Sequence, residues 1–335
     1  MTEKTTITMA DIARLANVSK PTVSRALSNN PLVNRETRER VLSIAREHGY
    51  SVNRNAQKLR NKRTNTIAVS LDFLSHRQNH ISDPFIFDLL AGVSEALGDR
   101  NQDLLLFAPG HNDLDAFQEI LSSKGADGFI VLGQGHREQM LDDFARSGAP
   151  LVVWGAAGED TPYCVVGSDN LRGGRLAGEY FIERGRRRFL FVGDRTHAEL
   201  RQRYEGLASV ARERDDVSLD DVAISNFSWE NAFDAANRYI DEAAAVPDAI
   251  FAYSDTAAMA FISAFDKRGY RVPEDVTVVG YNDIPSAAYF NPPITTVRQD
   301  TYEAGKLLVD KLMLMLDGET PETETLPTEL VRRAT

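Results

Sequence analysis

From residue 66 to residue 280, short apolar runs alternate with amphipathic segments, and this alternation constrains the fold of the 335-residue chain more than any other feature. The apolar runs have the length of buried strands, and the segments between them carry apolar residues at helical spacing. Such regular alternation predicts parallel sheets with helices on both faces. The pattern forms two sets of similar length, so we expect two α/β subdomains. A ligand cleft should lie between them, beyond the carboxyl ends of the strands.

Residues 8–28 have a different pattern, which predicts two short helices joined by a tight turn. Thr8 is placed as the N-cap of the first helix, three residues ahead of Asp11, and Ser19 as the cap of the second. Asn17 occupies the turn, where we expect a positive φ. The apolar residues expected to face inward are Ile12, Ala13, Leu15, Val18, Val23, Ala26 and Leu27.

The outward face of the second helix carries short hydroxyls and two cations, Lys20 and Arg25, a combination that suits phosphates and guanine edges. An ordinary helical hairpin with a solvated polar face has the same pattern, and the charge distribution favours the DNA-binding interpretation. Residues 1–63 contain 13 Lys and Arg against 5 Asp and Glu, whereas the remainder contains 25 against 44. A basic head on an acidic body indicates that only the head contacts nucleic acid.

A third helix is predicted after the pair, with Asn34 as its N-cap and Gly49 as its stop. Residues 53–63 follow; they are polar and basic, and Ala56 and Leu59 are their only apolar pair at helical spacing. This segment is too short and polar to form a stable helix alone. It is either a flexible linker or a helix that folds on DNA with Leu59 as a minor-groove wedge.

Ordered motifs along nearly the full length of the chain resemble those of LacI/GalR-type transcriptional repressors. They include Asp11-Ile-Ala-(x)4-Val-Ser-(x)2-Thr-Val-Ser-Arg-Ala-Leu, Asn53-(x)2-Ala-(x)2-Leu59, Asp83-Pro-Phe, Gly167-Ser-Asp-Asn, Gly280-Tyr-Asn-Asp and Thr295-Thr-Val-(x)-Gln299. The resemblance implies a helix-turn-helix headpiece (1–52), a hinge helix or linker (53–63) and a core (64–335) similar to periplasmic sugar-binding proteins.

The chain of such a core crosses between its two subdomains three times, and we place the crossings near residues 165, 292 and 323. The first subdomain would then comprise about 64–165 plus 293–322, and the second about 166–292 plus 323–335.

By the same resemblance, the second helix lies in the major groove, where Lys20, Pro21 and Arg25 read bases. Arg25 is the residue best suited to a bidentate contact with guanine. Pro21 has no hydrogen-bonding side chain, so the sequence of the operator half-site stays open. The residues expected to contact DNA phosphates are Thr8, Ser19, Thr22 and Ser24. Leu59 lies three positions after Ala56 on the hinge. It would insert at the centre of a palindromic operator, opposite Leu59 of the partner subunit, and this mode of binding requires a homodimer.

The resemblance also implies effector-binding residues around the cleft. They are Phe85, Arg203, Trp229, Ser254, Asn282 and Gln299. Two alternatives stay open: Arg203 could be a surface arginine on a helix rich in them, and Trp229 could be a buried packing residue. Arg203 offers a planar fork for paired hydroxyls or a carboxylate, and the amide of Asn282 can both donate and accept. Aromatic rings, amides and one arginine are typical of a carbohydrate site, although a purine or a sugar phosphate also uses an arginine.

These observations predict a dimeric repressor of carbohydrate uptake or catabolism, controlled by a small sugar or glycoside. A purine or sugar-phosphate corepressor on the same fold is the alternative, and the sequence does not distinguish a repressor from an activator. A periplasmic sugar receptor is disfavoured because no signal peptide precedes the basic head. An enzyme is disfavoured because nucleophile-elbow, phosphate-loop and zinc-protease motifs are absent.

The composition predicts no cofactor and no metal, because the six histidines are scattered and Cys164 is the single cysteine. The chain has no apolar run long enough for a membrane span, so we expect a soluble cytoplasmic protein without a membrane partner.

Overall fold

The structure is a computed structural model, and it describes residues 7–27, 30–50, 63–71, 84–106, 114–135, 137–158, 160–224 and 227–335. The chain divides into two compact units, Met1–Thr64 and Asn65–Thr335. This division falls within one residue of the predicted start of the core. The predicted hinge residues Ala56 and Leu59 lie outside the described residues, so the division between headpiece and hinge stays a prediction.

The described residues of the first unit form three helices: α1 (Met9–Leu15), α2 (Lys20–Leu27) and α3 (Arg35–Glu47). Asn17, in the turn between α1 and α2, has a φ of +51°, which confirms the predicted left-handed backbone. The expectation that Leu15 faces inward is wrong, because its side chain is 42% exposed. Ala16 is buried instead, since it lies one turn after Ile12 on the same face.

The second unit contains two six-stranded sheets. Their strands are β1 (Thr66–Leu71), β2 (Asp103–Leu106), β3 (Gly128–Leu132), β4 (Leu151–Trp154), β5 (Cys164–Ser168), β6 (Arg188–Val192), β7 (Ser218–Val222), β8 (Ala249–Ala252), β9 (Thr277–Asn282), β10 (Thr295–Arg298), β11 (Glu324–Leu326) and β12 (Glu329–Val331). The helices are α4 (Phe85–Asp99), α5 (Leu114–Ser122), α6 (Glu138–Arg146), α7 (Asn170–Glu183), α8 (Ala198–Arg212), α9 (Trp229–Glu242), α10 (Asp255–Lys267), α11 (Pro285–Tyr289) and α12 (Thr301–Leu316).

The strand order is β11-β5-β4-β3-β1-β2 in the first sheet and β12-β10-β9-β8-β6-β7 in the second. Every pairing is parallel except that of β10 with β12, which is antiparallel. The predicted α/β core of two parallel-sheet subdomains is therefore confirmed. The central strands β1, β3, β4, β8 and β9 are buried along their whole length, as expected of strands covered by helices on both faces.

The three crossings lie a few residues later than predicted. Hydrogen bonds join β5 to β4 and β11 in the first sheet, and β10 to β9 in the second. The crossings therefore fall at 169, at 299–300 and at 327–328, instead of near 165, 292 and 323. The reason is that a short buried strand fits either sheet equally well, and only its hydrogen-bonded neighbours decide which sheet it joins.

One predicted strand lies at the wrong residues. The sequence predicts a strand at 222–225, whereas β7 spans Ser218–Val222. This strand lies at the edge of its sheet and is half-exposed, so it lacks the continuous apolar run that marks the central strands. Among the helices of the described ranges, none is long and apolar enough to cross a membrane.

Candidate ligand cleft and nucleic-acid interface

Helix α2 exposes the three side chains predicted to read bases, Lys20, Pro21 and Arg25. The side chains of Val23 and Ala26 are buried on the opposite side of the helix, against α1 and α3. Because the buried face fixes the rotation of the helix about its axis, the polar face is held outward. The arrangement is that of a recognition helix whose exposed face is free of core packing.

Thr8 caps α1 through a complete capping box. Its hydroxyl donates to the Asp11 carboxylate over 2.7 Å, and the Thr8 backbone N–H donates to the same oxygen over 3.0 Å. These two hydrogen bonds hold the pKa of Asp11 below its ordinary value. The Thr8 side chain is exposed, so a capping hydroxyl lies at the surface where the phosphate contact is predicted.

Ser19 and Thr22 form the corresponding start of α2. The Thr22 backbone N–H donates to Ser19 Oγ over 3.3 Å, and the two hydroxyl oxygens lie 2.8 Å apart. Ser24 is half-buried on the same helix. Of the predicted phosphate residues, Thr8, Ser19 and Thr22 therefore take part in hydrogen bonds at the starts of the two helices.

A cleft of about 150 Å³ opens at the carboxyl ends of both sheets. Leu132 and Trp154 line it from the ends of β3 and β4, while Asn282 lines it from the end of β9. This is the place that the strand–helix alternation predicts for a ligand site. Five of the six predicted effector residues line this cleft: Phe85, Arg203, Ser254, Asn282 and Gln299.

Arg203 is 8% exposed and points from α8 into the base of the cleft. Its Nε donates to Asn170 Oδ1 over 2.8 Å, and its Nη1 donates to the Tyr253 carbonyl over 2.8 Å. The guanidinium carbon lies 3.5 Å from the centroid of the Tyr281 ring. Burial raises the pKa of Tyr281, so this phenol stays neutral beside the cation.

Close packing of α7 against α8 brings Arg203 to Asn170. A Cβ added at Gly174 would lie 1.9 Å from the Arg203 carbonyl oxygen, and one added at Gly206 would lie 2.0 Å from the Leu171 carbonyl oxygen. Only glycine permits this distance between the two helices. The two glycines therefore set the position of the arginine in the cleft.

Asn282 and Gln299 are joined at the second crossing. Gln299 Nε2 donates to Asn282 Oδ1 over 2.7 Å, and both side chains are buried. Asn282 has a φ of +103°, which its short polar side chain tolerates better than most others. Ser254 caps α10 through its hydroxyl, which accepts from the Ala257 backbone N–H over 3.2 Å.

The predicted position of Trp229 beside the cleft is not observed. Trp229 starts α9 and stacks on Phe233, with ring centroids 4.9 Å apart and planes inclined by 11°. Lys267 lies over the other ring of this pair, 4.5 Å from the Phe233 centroid. The i,i+4 spacing of the two rings places them on one helix face, and this local pairing decides the orientation of Trp229.

Several residues that line the cleft were not predicted from the sequence. They are His197, Glu199, Phe227, Tyr253 and Trp154. Glu199 lies four residues before Arg203 on α8, a spacing that could have indicated a shared face, whereas His197 precedes the helix and carries no such signal. The His197 and Phe227 rings pack edge to face, with centroids 5.0 Å apart.

The charges around the cleft are nearly balanced. Among the described residues that line it, Arg203 is the only lysine or arginine, and Glu199 is the only carboxylate. The apolar part of the lining divides evenly between aromatic rings (Phe85, Trp154, Phe227 and Tyr253) and aliphatic side chains (Leu71, Ile86, Leu132 and Leu200). Within the described ranges, no group of three His, Cys, Asp or Glu side chains could hold a metal ion. The cleft therefore suits an uncharged polar molecule with an apolar face.

A helix-turn-helix unit on a two-sheet core with a cleft at the strand ends defines a class of ligand-controlled regulators. Residues 8–53 match the family described as bacterial regulatory proteins of the lacI family, and residues 179–335 match a periplasmic binding protein-like domain. The transcriptional regulator CelR of Thermobifida fusca is 33% identical over 337 residues, with 96% of this chain and 95% of the relative covered. The chain belongs to the LacI family, and it is a DNA-binding transcriptional regulator.

Two solved structures extend the comparison. A complex of the transcriptional regulator CelR with cellobiose matches with a TM-score of 0.68 and 30% identity, covering 98% of this chain and 99% of that one. The lac repressor dimer bound to operator and the anti-inducer ONPF matches with a TM-score of 0.83 and 23% identity, covering 98% of both chains. The second match shows that the fold is shared.

Proposed function

We propose that the chain is a repressor of genes for carbohydrate use, and that an uncharged sugar or glycoside bound in the cleft controls its affinity for operator DNA. The observation that carries this proposal is the composition of the cleft, in which aromatic rings face a buried arginine and amide side chains. Sugar rings present C–H faces that pack on aromatic rings, and their hydroxyls pair with amides and guanidinium groups.

The charge balance favours a neutral sugar over an anion. A phosphate or carboxylate placed on Arg203 would lie on the same lining as Glu199, one helical turn earlier on α8. In addition, Nε and Nη1 of Arg203 already donate to protein acceptors, so the guanidinium does not present its full fork to a ligand. The relative CelR is solved with cellobiose, which makes cellobiose the first sugar to test.

On the DNA side, the proposal assigns base reading to Lys20, Pro21 and Arg25 of the exposed face of α2. Two copies of the headpiece in a homodimer would bind a palindromic operator. Residues 53–63 would form the hinge, with Leu59 entering the minor groove at the centre. A protein acting on operator DNA would work in the cytoplasm, and its role would be regulation rather than catalysis.

A sugar phosphate or a purine acting as corepressor is the second candidate, and Arg203 is the residue that would favour it. The two candidates differ in the direction of the effect, and a sugar phosphate differs from a neutral sugar in charge as well. A neutral inducer lowers operator affinity, whereas a corepressor raises it. In either case, the change in operator affinity equals the difference in ligand affinity between the two subdomain orientations, commonly about 1–3 kcal/mol.

Thermal unfolding and operator binding test the proposal together. The full-length protein would first select its operator from a random duplex pool, and we expect a palindrome. Cellobiose, glucose and ribose would then be compared with galacturonate, glucose 6-phosphate and guanine. We expect at least one neutral sugar to raise the melting temperature and to change the anisotropy of labelled operator. Effects from the anionic compounds or guanine alone would contradict the neutral-sugar proposal.

A further inference from the structure

A continuous series of hydrogen bonds links two residues of the cleft lining, Arg203 and Asn282, through the subdomain crossings. Arg203 Nε donates to Asn170 Oδ1 over 2.8 Å, and Asn170 Nδ2 donates to the Ser168 carbonyl over 3.0 Å. The Ser168 hydroxyl donates to Gln299 Oε1, and Gln299 Nε2 donates to Asn282 Oδ1 over 2.7 Å. We call these five residues the polar relay. Its two ends, Arg203 and Asn282, both line the cleft.

The polar relay passes through two of the three crossings. Ser168 is the last residue of β5 in the first sheet, and Asn170 begins α7 on the other side of the crossing at 169. Gln299 follows β10 of the second sheet directly and precedes α12, which packs on the first sheet. A change in the relative orientation of the subdomains requires rotation at these crossings, so it must bend or break the relay.

All five side chains are between 1% and 8% exposed. A buried polar group that loses its partner remains desolvated, so the loss costs more than the same change at the surface. The contacts of the relay are therefore strong constraints on the crossings. Each of the five residues belongs to the second unit.

Gln299 has both ends of its amide engaged by protein. Its oxygen accepts from Ser168, and its nitrogen donates to Asn282, so these two contacts fix the orientation of the amide. Asn170 is held in the same way, because its oxygen accepts from Arg203 and from the Tyr281 hydroxyl while its nitrogen donates to Ser168. Neither amide can turn over without placing like groups against each other.

We infer that Asn170 and Gln299 are positioning residues, which orient Arg203 and Asn282 toward the ligand, and that the Ser168–Gln299 hydrogen bond couples ligand occupancy to the orientation of the subdomains. This inference rests on the proposed function, because it assumes that a sugar binds in the cleft. A sugar that contacts both ends of the polar relay holds the two crossings in one geometry. The relay thus influences sugar affinity and the response of operator binding together.

The sharpest test is Ser168→Ala, because it removes one hydroxyl from the polar relay and leaves the backbone unchanged. Ser263→Ala is the matched control, since that hydroxyl donates to the Met259 carbonyl on α10, outside the relay. Calorimetry would use cellobiose, or the neutral sugar that stabilises the wild-type protein most in the panel above. We expect Ser168→Ala to raise the sugar Kd roughly three- to tenfold, the range of one buried hydrogen bond. Ser263→Ala should stay within twofold.

A double-mutant cycle separates coupling from general destabilisation. We expect Ser168→Ala and Gln299→Met together to raise the sugar Kd by less than the product of their separate effects, because both remove the same contact. Independent, multiplying effects would overturn the role of the Ser168–Gln299 bond. A sugar Kd within twofold of wild type in folded Ser168→Ala would overturn it as well.

Asn170→Asp distinguishes positioning from a merely structural role. The carboxylate keeps an acceptor for Arg203, but it places an oxygen against the Ser168 carbonyl. We therefore expect the variant to bind the sugar and to lose at least half of the sugar-induced change in operator Kd. An unchanged operator response would overturn the inference for Asn170. If no sugar binds even the wild-type protein, the proposed function itself fails, which is a different outcome.

Discussion

The guanidinium of Arg203 lies over the buried ring of Tyr281, with its central carbon 3.5 Å from the ring centroid. The two residues come from α8 and β9, so their contact joins two elements of the second subdomain directly beneath the cleft. A cation stacked on an aromatic face and bound to two acceptors is fixed in its plane. The Arg203 guanidinium is therefore preorganised to bind ligand hydroxyls.

Arg203→Lys should weaken sugar binding even though it keeps the charge. Lysine cannot donate to Asn170 and to the Tyr253 carbonyl from one rigid plane, so both buried acceptors lose a well-oriented partner. We expect a loss of about 1.5–3 kcal/mol in the free energy of unfolding and at least a tenfold rise in sugar Kd. Urea unfolding would measure the free energy of unfolding, and calorimetry would measure the sugar Kd. Arg201→Lys, at an exposed position of the same helix, should change neither quantity.

Gly206→Ala should destabilise the core, because the added Cβ would lie 2.0 Å from the Leu171 carbonyl oxygen and push α7 away from α8. We expect the free energy of unfolding to fall by about 1–3 kcal/mol. The control is Gly98→Ala on α4, where an added Cβ meets no atom within 4 Å. That substitution should be neutral or slightly stabilising. Equal effects of the two substitutions in urea unfolding would show that helix spacing is not the cause.

Arg25→Ala should lower affinity for the selected operator by about 1–3 kcal/mol, or roughly 5- to 150-fold. We expect the exposed guanidinium to make a bidentate contact with a guanine edge, and the substitution removes it. Binding to random duplex should weaken far less, because its energy comes from phosphates. Arg40→Ala, at an exposed position of α3, serves as the control in the same anisotropy titration. Equal losses on operator and random DNA would place Arg25 among the phosphate contacts.

Leu59→Ala should reduce specific binding at least about tenfold while leaving binding to random duplex nearly unchanged. The shorter side chain cannot unstack the central base step, so the bend that brings extra contacts is lost. Circular dichroism should show the same helix content as wild type. Gln57→Ala is the neighbouring control. An operator Kd that is unaffected by Leu59→Ala would contradict the insertion of Leu59 into the minor groove.

The stability of the core should fall as the pH rises from about 10 toward 12. Burial raises the pKa of Tyr163 to about 12 from its ordinary value near 10. Between these values the unfolded chain loses the proton that the folded protein keeps, so the unfolded state gains stability. Tyr163→Phe should make this part of the pH dependence shallower in urea unfolding. Tyr289→Phe is the control, because Tyr289 is 88% exposed.

Local patterns predicted most of the elements. Gly128–Leu132, Glu138–Arg146 and Arg188–Val192 have the predicted bounds, because each is a continuous buried run or an amphipathic period with clear stop signals. The caps Thr8 and Asn34 are also confirmed, since capping depends on residues three positions apart. The strand β5 was not predicted. It is a five-residue apolar run among many similar runs, and such a run does not indicate which sheet it joins.

The sequence predicted most residues of the candidate site, but it did not predict how those residues are arranged. Five of six residues inferred from family resemblance line the cleft, whereas Trp229 stacks on Phe233 because of a pairing within its own helix. His197 and Glu199 were missed, since a histidine or a glutamate on an amphipathic helix usually faces solvent. Only the packing of α8 against α7 turns their face toward the cleft.

The sequence by itself determined the class of the protein. A basic head with a helix pair and an acidic body of alternating strands and helices fix a DNA-binding unit joined to an α/β core, because charge and hydrophobic periodicity act locally. Tertiary structure alone decided the polar relay and the positions of the crossings. Ser168 and Gln299 are 131 positions apart and meet only when both sheets have formed. No local propensity encodes such a contact, since its energy depends on burial that the whole core provides.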